Sequence, residues 1–205
     1  MKNSTAIHNL FKQKDGSDAI SGVATLDALI EICKERNPKT ILELGGGIGT
    51  ITYALLANSD ATVDVYEHNE FCRKQLHENF KMYRERMRVV PSYDILPPRS
   101  KYDLIIVDGG KGKGHNDERD GGYPRIIGAY LQSLDAINIL FIEGQRKSQK
   151  FWILQTIRTQ YTYRVKRYAD PSGGKKIGVL IECTPCRSEF VRTLTHAFQR
   201  GKVYK

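Results

Sequence analysis

Ile41-Leu42-Glu43-Leu44-Gly45-Gly46-Gly47-Ile48-Gly49-Thr50 is the stretch on which the reading of this chain turns. Its first half has the composition of a buried strand, an acid stands at Glu43, and four glycines then fall within five residues. Glycine lacks a Cβ, so it reaches backbone angles closed to other residues and lets a bound molecule come up against the main chain. A turn of this kind between a strand and a helix also directs free backbone N–H groups at a ligand. With no ligand, so many glycines would carry an entropic cost that nothing explains.

The spacing separates two kinds of nucleoside cofactor. The dinucleotide fingerprint G-x-G-x-x-G is met by Gly45 and Gly47, but Thr50 stands where its third glycine belongs. The pattern acid-x-G-x-G-x-G is met at every fixed position by Glu43, Gly45, Gly47 and Gly49, with Gly46 inside it. That resembles motif I of the class I, Rossmann-like methyltransferases that use S-adenosylmethionine (SAM).

A chain of 205 residues is long enough for one domain with a sizeable core. The organisation expected is a single domain over 1–205, with an N-terminal helical segment 1–38, a core 39–183 and a C-terminal basic helix 184–205. Cys33, Cys72, Cys183 and Cys186 are too sparse for a disulfide framework and point to a reducing, cytoplasmic setting. No stretch approaches the roughly 18 apolar residues of a membrane span, so no membrane partner is expected. The net charge of +9 is uneven: residues 144–205 carry +11 and residues 1–143 carry −2. Such asymmetry fits an anionic partner, nucleic acid included, or a solvated basic face.

Apolar periodicity places helices over 19–36, 49–58, 69–87, 123–134 and 147–160, and strands over 40–44, 61–66, 87–91, 101–108, 137–142, 163–168 and 176–182. The last two strands flank Asp170-Pro171-Ser172-Gly173-Gly174, a turn-rich segment that joins antiparallel strands. Alternating strands and helices predict an α/β fold of three layers, a doubly wound, mostly parallel sheet covered on both faces. The resemblance, over roughly residues 19–183, implies seven strands in the order 3-2-1-4-5-7-6 with the last strand antiparallel. Beyond it, Phe190, Val191, Leu194, Ala197 and Phe198 predict an amphipathic helix, docked as a cap rather than serving as a membrane anchor.

Ligands of open parallel sheets sit beyond the carboxyl ends of the strands, and here several strands end in acids. The resemblance gives Glu43 a part in ordering the turn and the amino acid portion of SAM. Glu67 lies 18 residues after Gly49, a spacing that suits a carboxylate accepting hydrogen bonds from both ribose hydroxyls, in SAM or in NAD. His68 follows it in the cofactor-binding set. Ser92, Tyr93 and Asp94 occupy the place where the family contacts adenine, and Asp108 the place that faces the methionine end and the acceptor.

Methyl transfer from a sulfonium asks the protein to position the acceptor, exclude water and, for a hydroxyl, remove a proton. The glycine-rich loop after Asp108 carries Lys111, Lys113 and His115; the histidine is the natural base and Lys111 an anion-binding candidate. Glu143 and Arg146 end the fifth long strand, Arg146 either fixing an acidic group of the acceptor or pairing with Glu143 or Asp108. An acid pair at this edge can hold a divalent cation, but the Asp and Asn of the magnesium-using catechol-type enzymes are not matched by Glu143-Gly144, so no metal ligand is expected. The expectation is an O-methyltransferase for a small or sugar-like, negatively charged acceptor. The alternatives are an RNA-directed methyltransferase and a non-catalytic SAM-fold protein that binds a partner through its tail helix.

Overall fold

The computed structural model describes residues 3–109, 128, 130–144, 146–170 and 176–204. Seven strands form one sheet, in the order β3 (Met87–Val90), β2 (Thr62–Tyr66), β1 (Thr40–Leu44), β5 (Leu104–Val107), β7 (Ile139–Glu143), β9 (Lys176–Pro185) and β8 (Tyr161–Ala169). With the two-residue strands β4 (Lys101–Tyr102) and β6 (Ala136–Ile137) set aside as a separate small sheet, this is the order 3-2-1-4-5-7-6. The backbone divides into two compact units, Met1–Ile95 and Leu96–Lys205.

In the first unit, α1 (Ser4–Lys12) is capped by Asn3, whose side chain accepts from the Ala6 N–H at 2.7 Å, and it buries Ile7 and Phe11. Helix α2 (Val23–Arg36) starts four residues later than the apolar spacing predicts, because Ser17–Ala19 forms a separate 3-10 turn and Gly22 is extended. It ends at Asn37, whose left-handed backbone (φ 45°) returns an N–H to Cys33 O, and Pro38 prevents continuation. Strands β1 (Thr40–Leu44), β2 (Thr62–Tyr66) and β3 (Met87–Val90) are parallel, with Thr40 opposite Thr62 and Val63 opposite Met87. Helix α3 (Thr50–Asn58) follows β1. Helix α4 (Glu70–Asn79) stops well short of the expected 87, since Phe80 turns into the core and Lys81–Tyr83 tightens into a 3-10 turn before β3.

In the second unit, β5 (Leu104–Val107) is buried at every residue, as a strand covered on both faces must be. It runs parallel to β7 (Ile139–Glu143). Only 128 and 130–134 of the expected helix 123–134 are described; 128 and 130–133 are helical, and Leu134 already bends away from the helix. Helix α5 (Lys147–Ile157) leads to β8 (Tyr161–Ala169), and β9 (Lys176–Pro185) pairs antiparallel with both β7 and β8. Of the turn between β8 and β9 only Asp170 lies within the described residues.

Helix α6 (Glu189–Tyr204) packs against β8 and α5 the other way round from the expected cap. Its polar residues turn inward: His196 Nδ1 lies 2.8 Å from the Tyr163 hydroxyl and Arg192 donates to Cys186 O at 2.6 Å, while Phe190 and Phe198 remain 75% and 70% exposed. Burial, with Arg158 and Arg200 nearby, holds His196 below its ordinary 6.5 and so favours the neutral ring. An undocked His196 therefore takes up a proton that the docked ring refuses, and docking weakens as pH falls below about 6.5 toward the lowered value. Hydrogen-exchange protection factors of α6 are expected to drop between about pH 7.5 and about pH 5.5, and His196→Gln to remove that drop. An unchanged drop in the variant would assign it to other groups.

Candidate functional site

The glycine-rich turn is fastened from several sides. Gly45 and Gly46 N–H groups both donate to Tyr66 O at 3.0 Å, and the Gly49 N–H donates to Gly46 O at 2.9 Å. Glu67 completes the fastening: its Oε2 accepts from the Gly47 N–H and its Oε1 from the Asn69 N–H, each at 2.7 Å. The amides expected to face a ligand at 45, 46, 47 and 49 are thus engaged by the protein. Each Glu67 oxygen retains a second lone pair, so the carboxylate can still accept from a ligand hydroxyl.

What the turn offers a ligand is space. A Cβ at Gly46 would meet Val65 Cγ1 at 2.4 Å and one at Gly49 (φ +99°) would meet the Phe80 ring at 2.4 Å, whereas one at Gly47 (φ +52°) meets nothing within 4 Å. The open face of the turn is Gly47, directly beside the Glu67 carboxylate that holds its N–H. Glu43 stands beneath rather than at this face: it is fully buried and its Oε2 accepts from Thr52 Oγ1 at 2.7 Å, tying β1 to α3. Thr50 is buried as well, occupying the packing position where the dinucleotide pattern has glycine.

Beyond β3, Tyr93 stacks on Tyr66 with centroids 5.3 Å apart and planes 13° from parallel, and the exposed His68 ring lies 6.0 Å from Tyr93. Tyr66 itself is fixed by its hydroxyl, which donates to Ile95 O at 2.6 Å. Ser92 and Asp94 close a small turn, the Asp94 N–H donating to Ser92 Oγ and that hydroxyl donating to Asp94 Oδ2. Glu67, His68, Tyr93, Ser92 and Asp94 therefore lie along one short stretch of the first unit, with an aromatic plane among them.

In the second unit the strand-end acids converge on one cation. Arg146 Nη2 donates to Asp108 Oδ1 at 2.6 Å and to Glu143 Oε2 at 3.1 Å, while Nη1 donates to Gly109 O at 3.1 Å. All three side chains are mostly buried, which strengthens the pairing relative to a surface bridge. Gln149 donates to Gly109 O at 3.3 Å and the buried Lys150 donates to Gly144 O at 2.8 Å. Neither was expected from the sequence. The signal was their spacing, since 146, 149 and 150 share one face of a helix that begins at Lys147. The guanidinium sits between the two acids that the sequence leaves open to a metal, and among the described residues no group of three or more His, Cys, Asp or Glu could hold one. Lys111, Lys113 and His115 lie outside the described residues.

No protein-family model and no curated protein matches the chain. Solved structures do. A SAM-dependent O-methyltransferase from Thermotoga maritima superposes with a TM-score of 0.62 at 14% identity, covering 89% of this chain and 72% of that one. The methyltransferase of Podospora anserina, solved with S-adenosylhomocysteine bound, gives 0.58 at 16%, covering 90% and 89%. A provisionally assigned RNA methyltransferase from Pyrococcus horikoshii gives 0.56 at 13%, covering 90% and 98%.

Two substitutions separate scaffold from open face. Gly49→Ala forces a Cβ onto Phe80 at an unfavourable φ and is expected to cost about 2 kcal/mol or more, whereas Gly47→Asn, in a left-handed region that Asn tolerates, is expected to stay within about 1 kcal/mol. Denaturant unfolding measures both, and equal losses would refute the distinction. Arg146→Ala leaves two partly buried carboxylates without their cation and is expected to cost about 3 kcal/mol, with Arg146→Lys intermediate. A loss below about 1 kcal/mol would show the cluster to be well solvated. The strand order and these structural likenesses give the chain the fold of the class I, Rossmann-like SAM-dependent methyltransferases.

Proposed function

We propose that this protein is a SAM-dependent methyltransferase, acting on an oxygen of a small or sugar-like, negatively charged acceptor. The observation that carries the cofactor part is the turn itself: a fastened glycine loop whose open face lies at Gly47, next to a carboxylate with acceptor capacity to spare. Thr50, buried at the position of the third dinucleotide glycine, favours SAM over NAD. The structural neighbours support the same reading through their fold.

Glu67 would take the ribose hydroxyls, with Tyr93, Ser92 and Asp94 beside the base and His68 at the rim. The residues Glu43, Gly45, Gly46 and Gly49 would keep the turn in shape. When bound, the cofactor supplies an electrophilic methyl group on a sulfonium. The protein's part is to bring an acceptor oxygen in line, keep water away and accept a proton. His115 is assigned the last role, and Asp108, its carboxylate held in place by Arg146, would face the acceptor, with Glu143 sharing that cation. Lys111 is assigned to an anionic acceptor, while Arg146, shared by two acids, holds them in place on the acceptor side.

An RNA acceptor is the second reading. It is favoured by the exposed Arg164, Lys166 and Arg167 on β8, the terminal strand of the sheet order, within the basic C-terminal third. A steep loss of affinity with salt, seen with RNA and not with small acceptors, would select it.

Calorimetry with SAM, S-adenosylhomocysteine and NAD tests the main proposal. SAM and its product are expected to bind and NAD not, and Gly47→Asn, whose side chain fills the open face, to weaken SAM about a hundredfold without unfolding. Binding of NAD alone would refute the cofactor assignment. On an acceptor that is turned over, Asp108→Asn, which keeps an oxygen for Arg146 but gives up the charge, is expected to lower kcat about a hundredfold while costing the fold less than Arg146→Ala does. A parallel loss of both would make Asp108 purely structural.

A further inference from the structure

Helix α6 is inverted with respect to the unit that carries it. Arg192, His196 and Gln199 turn toward the protein, with Val203 buried near the end, while Phe190, Val191, Leu194 and Phe198 form a stripe facing outward. The stripe extends about 12 Å along the helix axis, and both phenylalanines are more than two-thirds exposed. Four large apolar side chains on one exposed helical face are more than scattered surface residues and mark an interaction surface.

Charge identifies what covers it. From Arg187 to Lys202 the chain carries four basic residues and one acid, Glu189; Arg192 is turned inward, and β8 adds the exposed Arg167 on the sheet face that Tyr163 presents to α6. We propose that α6 lies in the surface of an anionic lipid bilayer, its Phe190, Val191, Leu194 and Phe198 stripe entering the acyl boundary while the basic side chains around it meet the headgroups. Aromatic and aliphatic residues on one face with Arg and Lys at the margins are the composition of helices that lie in that interface. A second copy on the same face would bring the basic residues of both chains together, which Coulomb repulsion disfavours. Nucleic acid would find no ring to stack on at Val191 and Leu194. Such a helix lies on a membrane rather than across it, in keeping with the absence, among the described residues, of a helix long and apolar enough to span one. The proposal is independent of the chemistry at the glycine-rich turn.

Co-sedimentation of the full chain with vesicles tests it. Vesicles of phosphatidylcholine with about one-third phosphatidylserine are expected to bind the protein about tenfold or more tightly than phosphatidylcholine alone. The double variant F190Q/F198Q, at exposed positions and with charge unchanged, is expected to weaken that binding about tenfold while keeping its melting temperature. The pair R187Q/K202Q is expected to weaken it severalfold and to flatten its dependence on salt. Should F190Q/F198Q fail to melt cooperatively, the single F198Q and R187Q/K202Q carry the test. Absence of binding to the anionic vesicles, or equal binding by the folded stripe variant, overturns the proposal. So does a dimer in analytical ultracentrifugation, or a shift of single-stranded RNA in a gel, that F190Q/F198Q abolishes.

Discussion

The Glu67 carboxylate is the constraint around which the first unit is arranged. One oxygen holds the Gly47 N–H and the other the Asn69 N–H, so a single side chain at the end of β2 joins the turn after β1 to the start of α4. Charge-assisted hydrogen bonds of this kind are stronger than neutral ones and are protected here by burial. The rest of the turn follows from that anchor. Tyr66 O gathers the Gly45 and Gly46 amides, Val65 and Phe80 close off the space at 46 and 49, and of Gly46, Gly47 and Gly49 it is Gly47 that has room beside it. The open face at Gly47 arises as the residue of packing, where the scaffold leaves one side unfilled.

The second unit solves a related problem with an opposite charge. Asp108 and Glu143 end neighbouring parallel strands, β5 and β7, where two partly buried carboxylates would repel each other. Arg146, at the entrance of α5, bridges both and so relieves their repulsion, and it also binds the Gly109 carbonyl. Lys150 one turn further on is buried with its ammonium on Gly144 O, so α5 brings two cations to the strand ends. Removing one of the acids therefore changes the environment of the other, and their contributions are not additive.

Much of this was legible in the sequence, for reasons that differ from residue to residue. Strands β1 and β5 were recognisable because continuous apolar runs suit strands buried on both faces, and the acid-glycine spacing selected the type of turn. Helix ends were read less well. Helix α4 looked long because Tyr83 and Met87 continue its spacing, yet Phe80 is claimed by the core beside Gly49 and the chain leaves the helix there. Gln149 and Lys150 went unnoticed because nothing in a helix start of polar residues says which side chains turn toward a strand end.

Helix α6 marks the boundary between the two sources of knowledge. Its periodicity, set by side-chain identity alone, determined that it would be amphipathic, just as the local patterns determined an alternating α/β chain with a glycine-rich turn after its first long strand. Which face of α6 turns inward depended on the partners available at β8, where Tyr163 offers a hydroxyl to His196, and no local pattern contains that information. The same holds for the engagement of the turn amides by Glu67 and for the bond from Arg146 to Asp108, 38 positions away. Sequence settles what is decided by propensity and spacing between near neighbours. Hydrogen bonds and ion pairs between residues some 20 to 40 positions apart are settled only when the folded chain brings them within reach.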